Sequence, residues 1–476
     1  MRLFHTLVIA VLLSSSVPAT ERPNVLFIIA DDLRAELGCL GDQHIISPNL
    51  DRLAAGGRLF ERAYCQQAVC NPSRASFMTG LRPDTLGVWD LRAHFRKKFP
   101  DHPTLPQLFK QNGYESICIG KSFHNSAGMG DTQSWSRPAE FHEGPHWADT
   151  IANKITPIPS RRNAPVTEKT ARADDVYWDG EITDQAIATL AEDHDKPFFL
   201  TVGYWRPHLP FVAPAKYWNL YDLRDITLPA SWSAPEHCPD IALHDFREIR
   251  GYAKMPKAFP LSVKFTRHLR HGYFASISYL DEQVGRLMNA LDRNGLRDNT
   301  IVVFISDHGF HLGEHGLWCK TSCFEYDARV PIIISTPKMK QAGRPTQSIA
   351  ELIDIYPTLA ELANLTPPQN LEGTSLLPIL QDPTASVKHA AYTQHPRPAY
   401  YRGKPDTMGV SVATANYRYT EWRDFQTGEP TASEFYDHRG DQLETRNTAT
   451  APKNKRFVNE GHKLLNATFP PSGSGQ

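Results

Sequence analysis

Residues 24–32 read Asn24-Val25-Leu26-Phe27-Ile28-Ile29-Ala30-Asp31-Asp32, and they decide the fold. An unbroken apolar run ends abruptly on two carboxylates. A strand with one face in water alternates apolar and polar residues, whereas a strand covered on both faces, as in a mostly parallel sheet, does not. The same pattern recurs along the chain. Residues 114–119 lead into Gly120-Lys121-Ser122-Phe123-His124, and residues 198–203 open into Tyr204-Trp205-Arg206-Pro207-His208. Residues 300–305 end at Ser306-Asp307-His308-Gly309, and residues 330–335 form a fifth such run. Between them lie helical patterns. Leu105 to Gln111 is amphipathic and stopped by Gly113; Phe274, Ile277, Leu280, Val284, Leu287 and Leu291 repeat at helical spacing until Asn294-Gly295. Strands alternating with helices predict an α/β fold, a large mixed, mostly parallel sheet sandwiched by helices. In four of these units the polar residues gather just past the carboxyl end of the strand, the edge at which open α/β sheets bind ligands. The sequence therefore predicts one site assembled from four distant segments.

Past Leu380 the texture changes. Gln381-Asp382-Pro383 breaks the chain, and shorter aromatic segments follow around residues 390–392, 409–414, 417–422 and 435–436. These suit a small antiparallel sheet, with residues 454–465 as a terminal helix and 470–476 as a frayed tail. The expected organisation is a catalytic unit over 20–380 and a C-terminal α+β subdomain over 381–476. At the other end, Met1-Arg2, the apolar run from Leu3 to Leu13 and the small residues up to Ala19 read as a cleavable signal peptide, residues 1–19. Its apolar run is too short to span a bilayer, and no other run is long enough. The expectation is an exported protein, secreted or periplasmic. With 476 residues and a net charge of −1, the chain has a large core and no global field to recruit nucleic acid or a membrane surface, so attraction for an anion must be local. Cysteines at 39, 65, 70, 118, 238, 319 and 323 are too few for a disulfide scaffold, and the sequence does not pair them.

The strand ends carry the chemistry. Asp31, Asp32, Asp307 and His308 close two neighbouring strands; carboxylates brought that close repel unless a cation lies between them, and an oxygen-rich set suits calcium or magnesium rather than zinc. Lys121 and His124 follow one strand, His208 another, and Lys320 ends the Gly313-Glu314-His315-Gly316-Leu317-Trp318-Cys319-Lys320 block. A further stretch has no strand of its own: Cys70-Asn71-Pro72-Ser73-Arg74-Ala75-Ser76-Phe77-Met78-Thr79-Gly80. Pro72 and Ser73 suit a turn opening a helix, and the helix N-terminus together with Arg74 favours negative charge, a place to hold an oxyanion.

The pattern C-x-P-S-R, with Thr79-Gly80 five residues beyond the arginine, resembles the signature of the type I sulfatases. The resemblance implies an alkaline phosphatase/sulfatase-like fold and a Cys70 converted to formylglycine by a dedicated modifying enzyme. It implies a metal site of Asp31, Asp32, Asp307, His308 and the modified Cys70, with calcium as the usual ion and magnesium possible. Arg74, Lys121 and Lys320 would carry the positive charge around sulfate. His124 would contact the modified residue and His208 would protonate the leaving oxygen. The blocks around residues 82–85, GYWRPHLPF, IDIYPTLAELA, YTQHPRP and MGVSVATANYRYTEW further resemble the iduronate-2-sulfatase branch of that family. The partner would then be a sulfated carbohydrate, most plausibly a 2-O-sulfated uronic acid. Two stretches, residues 139–172 and 232–264, match nothing and are of the kind that shapes a sugar pocket. Arg92, Arg96, Lys97 and Lys98 read either as a solvated helix face or as a contact for an anionic polysaccharide. Trp89, Trp205 and Trp318 are aromatic residues available to a sugar ring or to packing. Two other readings are weighed: a phosphomonoester or phosphonate ester hydrolase of the same wider fold, and a carbohydrate-binding protein with a dead site.

Overall fold

Strand β1, Asn24–Asp31, is buried at every position, and its side chains alternate between two cores. Leu26, Ile28 and Ala30 face one, while Val25, Phe27 and Ile29 face the other. This computed structural model describes residues 22–124, 128–142, 146–148 and 164–470. The expected signal segment lies outside the described residues.

Six further strands complete the sheet: β2 (Arg58–Tyr64), β3 (Glu115–Gly120), β4 (Phe198–Pro207), β5 (Thr300–Ser306), β6 (Arg329–Ser335) and β7 (Thr346–Glu351). Their order is β7-β2-β6-β5-β1-β4-β3. Strand β1 pairs in parallel with β4 and β5, and β3 pairs in parallel with β4. Only β6 runs against its neighbours, β5 and β2. The sheet is mixed and mostly parallel, as the apolar runs required.

Helices cover both faces. The long helix Val263–Arg293 buries Leu269, Tyr273, Ile277, Leu280 and Leu287 against one face. Against the other lies Cys70–Thr79, whose every residue is buried, with Leu105–Gln111 behind it. The latter begins with a capping box in which Thr104 and Gln107 satisfy each other's backbone N–H groups. A second sheet follows, made of β8 (Ala390–Arg397), β9 (Thr407–Thr414), β10 (Tyr417–Asp424) and β11 (Pro430–Asp437). It is an antiparallel meander. The terminal helix Lys455–Thr468 packs Leu465 into its core. Among the described residues no helix is long and apolar enough to cross a membrane.

Candidate active site

Register brings the strand ends together. Ala30 lies beside Ser306 and Asp31 beside Pro207, so Asp31-Asp32, Asp307-His308 and His208 leave the sheet at one edge. Lys121 joins them because its backbone packs directly on β4. Its N–H donates to Gly203 O at 2.8 Å, and a Cβ at Gly203 would lie 2.1 Å from Lys121 O. The β1 turn is tied down from the long helix: Tyr273 donates its hydroxyl to Asp32 O at 2.7 Å and accepts from Arg34 N at 3.0 Å. The end of β4 is held by Asp179, whose carboxylate accepts from Trp205 N and Arg206 N at 2.8 Å each. Arg206 in turn donates to His208 O at 2.8 Å.

Three cations meet three carboxylates there. Arg74, fully buried, donates from Nε to Asp307 Oδ2 at 2.8 Å and lies 3.4 Å from Asp31 Oδ1. Its Nη1 donates to the carbonyls of both Lys121 and Ser122. Lys121 pairs with Asp31. Lys320 donates to both oxygens of Asp32 at 2.9 Å. Its neighbours Cys319 and Thr321 have φ of +71° and +90°, the left-handed region that a β-branched residue rarely enters. Asp32 itself has φ +65°. Such conformations cost about 1–3 kcal/mol each and survive only where the surroundings over-determine them, typically at functional sites.

Cys70 opens its helix and is 2 % exposed. Its Sγ lies 3.4 Å from Asp31 Oδ1, 3.4 Å from His308 Nε2 and 3.8 Å from Lys121 Nζ. Burial, and then the Asp31 charge, push the thiol well above its ordinary pKa. An unmodified Cys70 is therefore a protonated thiol, a poor nucleophile. Burial also works against ionisation of Asp31, yet Lys121, His208 and Arg74 hold it well below the usual carboxylate range. Lys320 is held well above the lysine range, against burial, by Asp32 and Glu248.

The donor set fits a hard cation. His308 has Nδ1 2.9 Å from Gly309 O, which leaves Nε2 as a lone pair when the ring is neutral. That atom faces Asp32 Oδ1 at 3.4 Å, Asp307 Oδ1 at 3.6 Å and Cys70 Sγ at 3.4 Å. The carboxylate oxygens already meet donors, but His308 Nε2 faces two of them without one, a position a divalent ion would fill. Asp31, Asp32, Cys70 and His308 present their ligand atoms within 4.8 Å of one another. Asp32, His208 and Glu248 also converge. There the Lys320 ammonium, 2.9 Å from both carboxylates, already occupies the cation's place.

A cavity of about 200 Å³ opens above this cluster, lined by Cys70, His124, His208, Lys320, Glu248 and Tyr400 among others. His124 is pushed down to about 3 by burial, with the Lys121 ammonium as the next cause, so it is neutral near pH 7. His208 turns Nδ1 to Leu209 O and Nε2 towards Glu248 Oε1 at 3.3 Å and Asp32 Oδ2 at 3.9 Å. Every site residue expected from the sequence therefore lies in one place.

Some readings left open by the sequence are narrowed. Arg96 belongs to no anion-binding face: it is locked to Asp131 at 2.6 Å and Gln107 at 2.6 Å. Trp318 is 2 % exposed inside the core, and Trp89 donates to Asp84 at 2.7 Å and packs on Phe425. Of the three tryptophans Trp205 stands nearest the site, with Lys121 Nζ 4.4 Å from its ring centroid. Sequence reasoning missed Glu248, Arg247 and Tyr400 in the cavity wall. The one signal for the first two was the unmatched stretch 232–264.

Comparison with known proteins agrees with this geometry. The Sulfatase family profile matches residues 23–365, and the profile described as N-sulphoglucosamine sulphohydrolase, C-terminal, matches 313–469. The iduronate 2-sulfatase of Homo sapiens is 36% identical over 497 aligned residues, covering 89% of each chain. A solved protein in complex with its substrate D-glucosamine-2-N,6-O-disulfate superposes with TM-score 0.75 at 24% identity, over 96% of this chain and 100% of that one. The phosphonate monoester hydrolase of Agrobacterium radiobacter superposes with TM-score 0.76 at 24% identity, over 94% of this chain and 95% of its own. At that identity the two solved structures establish the fold and not the reaction. Family match and full-length relatedness together make the chain a member of the type I sulfatase family, a sulfuric ester hydrolase.

Proposed function

We propose that this sulfatase removes the 2-O-sulfate of a uronic acid in a sulfated polysaccharide, with position 70 as formylglycine and a divalent cation, calcium with magnesium as the alternative, as cofactor. The observation that carries the reading is the convergence of Asp31, Asp32, His308 and Cys70 beside three buried cations. The likeness to a human iduronate 2-sulfatase over nearly the whole chain supports the choice of sugar. Asp31, Asp32, Asp307 and His308, with position 70, would hold the cation, which would neutralise sulfate oxygens and acidify a bound hydroxyl. As formylglycine, position 70 would supply one hydroxyl of its hydrate to attack sulfur and a second to expel sulfate afterwards.

The chain's own groups do the rest. A sulfate ester needs positive charge around its oxygens and an in-line nucleophile. Arg74, Lys121 and Lys320 bring that charge in fixed positions, since each is anchored by a carboxylate behind it. His208 directs Nε2 into the cavity, where it would give a proton to the departing sugar oxygen. His124, neutral near pH 7, would take a proton from position 70. The catalytic unit is assigned to residues 20–380 and the C-terminal subdomain to 381–476. Export through residues 1–19 would place the enzyme outside the cytoplasm with its polysaccharide, after a formylglycine-generating enzyme has acted on Cys70.

The test is the mass of the peptide around residue 70 in protein from its own host, followed by release of sulfate from a 2-O-sulfated uronate disaccharide. A loss of about 18 Da, thiol to aldehyde, with desulfation is the expected result. An unmodified thiol would revive the phosphoester reading, and desulfation of other sugars alone would overturn the specificity.

A further inference from the structure

Glu248 is an anomaly in a cavity that must admit a sulfate. Among the described residues it is the only carboxylate lining that cavity, its side chain is 7 % exposed, and a negative charge there opposes an anionic substrate. Its two oxygens are divided between two groups the proposed chemistry uses. Oε1 lies 3.3 Å from His208 Nε2, and Oε2 lies 2.9 Å from Lys320 Nζ. Both ring nitrogens of His208 thus face acceptors, Leu209 O at Nδ1 and Glu248 Oε1 at Nε2.

The placement is built into the fold. The helical turn Arg247–Arg250 starts from Phe246 at φ +35° and buries Ile249 completely. Arg250 stacks its guanidinium on Phe246 and Phe259, 4.5 and 4.4 Å from the ring centroids. Upstream, Arg397 at the end of β8 donates to Ile241 O at 2.7 Å and Ala242 O at 2.8 Å. The second sheet thus fastens the unmatched stretch over the strand-end cluster.

We infer that Glu248 is a positioning residue for proton delivery: it keeps the proton of His208 on Nε2, at the cavity wall, until the leaving ester oxygen takes Glu248's place there, while holding Lys320 for the sulfate. This rests on the reading of His208 as the acid. If Glu248 merely neutralised Lys320, its loss would change turnover of every sulfate ester alike. If it positions the acid, its loss matters in proportion to how badly the leaving group needs a proton.

The experiment uses formylglycine-bearing enzyme and substituted phenyl sulfates, from 4-nitrophenyl to unsubstituted phenyl sulfate, with kcat/KM plotted against leaving-group pKa. Glu248→Gln should lower phenyl sulfate turnover about 10²-fold and 4-nitrophenyl sulfate turnover only about 3-fold. The His208→Ala line should steepen in the same way, and the double variant should be no steeper than His208→Ala. Equal losses across the series, or an unchanged line, would overturn the inference. A steep His208→Ala line beside a Glu248→Gln line parallel to wild type would overturn it alone. A flat His208→Ala line would remove the acid and its positioner together. Should Glu248→Gln fail to fold, Glu248→Asp carries the test, because a retained but retracted charge predicts an intermediate slope.

Discussion

Two clusters of buried charge, one at the strand ends and one at the seam between the sheets, use the same residue types to opposite purposes. At the seam, Arg418 of β10 pairs with Glu325 and donates from Nε to Glu444 Oε1 at 2.7 Å. His438 Nε2 lies 2.9 Å from the same Glu444 oxygen, and Glu444 Oε2 accepts from Glu325 N at 2.8 Å. Glu325, His438 and Glu444 could on composition alone ligate a metal. The arginine fills that role, and its guanidinium also leans on the Tyr64 ring of β2, 5.5 Å from the centroid. Each oxygen of Glu325 and Glu444 there meets a donor. At the strand ends the aspartates are paired too, with Arg74, Lys121, Lys320 and backbone N–H groups. The group left over is His308 Nε2, which faces Cys70 Sγ and two carboxylate oxygens. Composition does not distinguish a fastening from a site; completeness of pairing does. A buried pair left complete locks two elements together, whereas an incomplete one is poised to take up a ligand.

The contrast can be broken at the strand ends first. Cys70→Ser in an unmodified state should cost 10⁴-fold or more in kcat, about the effect of deleting a nucleophile, while the thermal midpoint stays within a degree or two. Parallel loss of activity and midpoint would make Cys70 a packing residue. Next, exhaustive chelation should reduce turnover by about 10³-fold, with calcium or magnesium restoring it. Indifference to chelation would close the strand-end cluster and erase the distinction. At the seam the effect should move from rate to stability. Arg418→Met strands the buried Glu444 carboxylate and the part-buried Glu325 and should destabilise by about 3 kcal/mol in denaturant titration, with kcat unchanged in the folded fraction. The smallest effect concerns His438, which is held above its ordinary pKa by its hydrogen bond to Glu444 in spite of burial. A raised folded pKa contributes stability that is fully present below pH 6.5 and lost as pH rises through the folded value. His438→Gln should therefore cost about 1 kcal/mol at pH 5.5 and much less at pH 9. A constant difference across that range would mean the histidine serves by shape alone. Glu444, held down to about 2 by Arg418 and His438 against burial, adds the opposite limb. Its contribution is present above pH 4.5 and lost as pH falls through 2.

Much of this was legible in the chain. Strands β1, β4 and β5 carry long apolar runs because both faces are covered, and such runs need no tertiary information to be read. Strand β2 escaped because Arg58, Glu61 and Arg62 break its pattern. Arg58 is nonetheless fully buried, its guanidinium donating to carbonyls including Gln341 and Leu380. The helix Val263–Arg293 was legible only from Phe274 onward. Its first turns carry Arg267, His268, Arg270 and His271, of which Arg270 is buried only because Glu314 lies 2.7 Å away.

The strand-end chemistry belongs to the sequence. Asp31, Asp32, Lys121, His124, His208, Asp307 and His308 each follow a run that could only be a buried strand or its exit. Parallel strands deliver their carboxyl ends to one edge whatever the loops do, and Cys70 and Arg74 carry their own local signature. Glu248, Tyr400 and the seam around Arg418 belong to the tertiary structure. Glu248 meets Lys320 and Arg418 meets Glu325, 72 and 93 positions away, and Tyr400 joins the cavity wall from the second sheet's side of the chain. No local pattern encodes such pairings, because a charge at an irregular position looks solvated until another element closes over it.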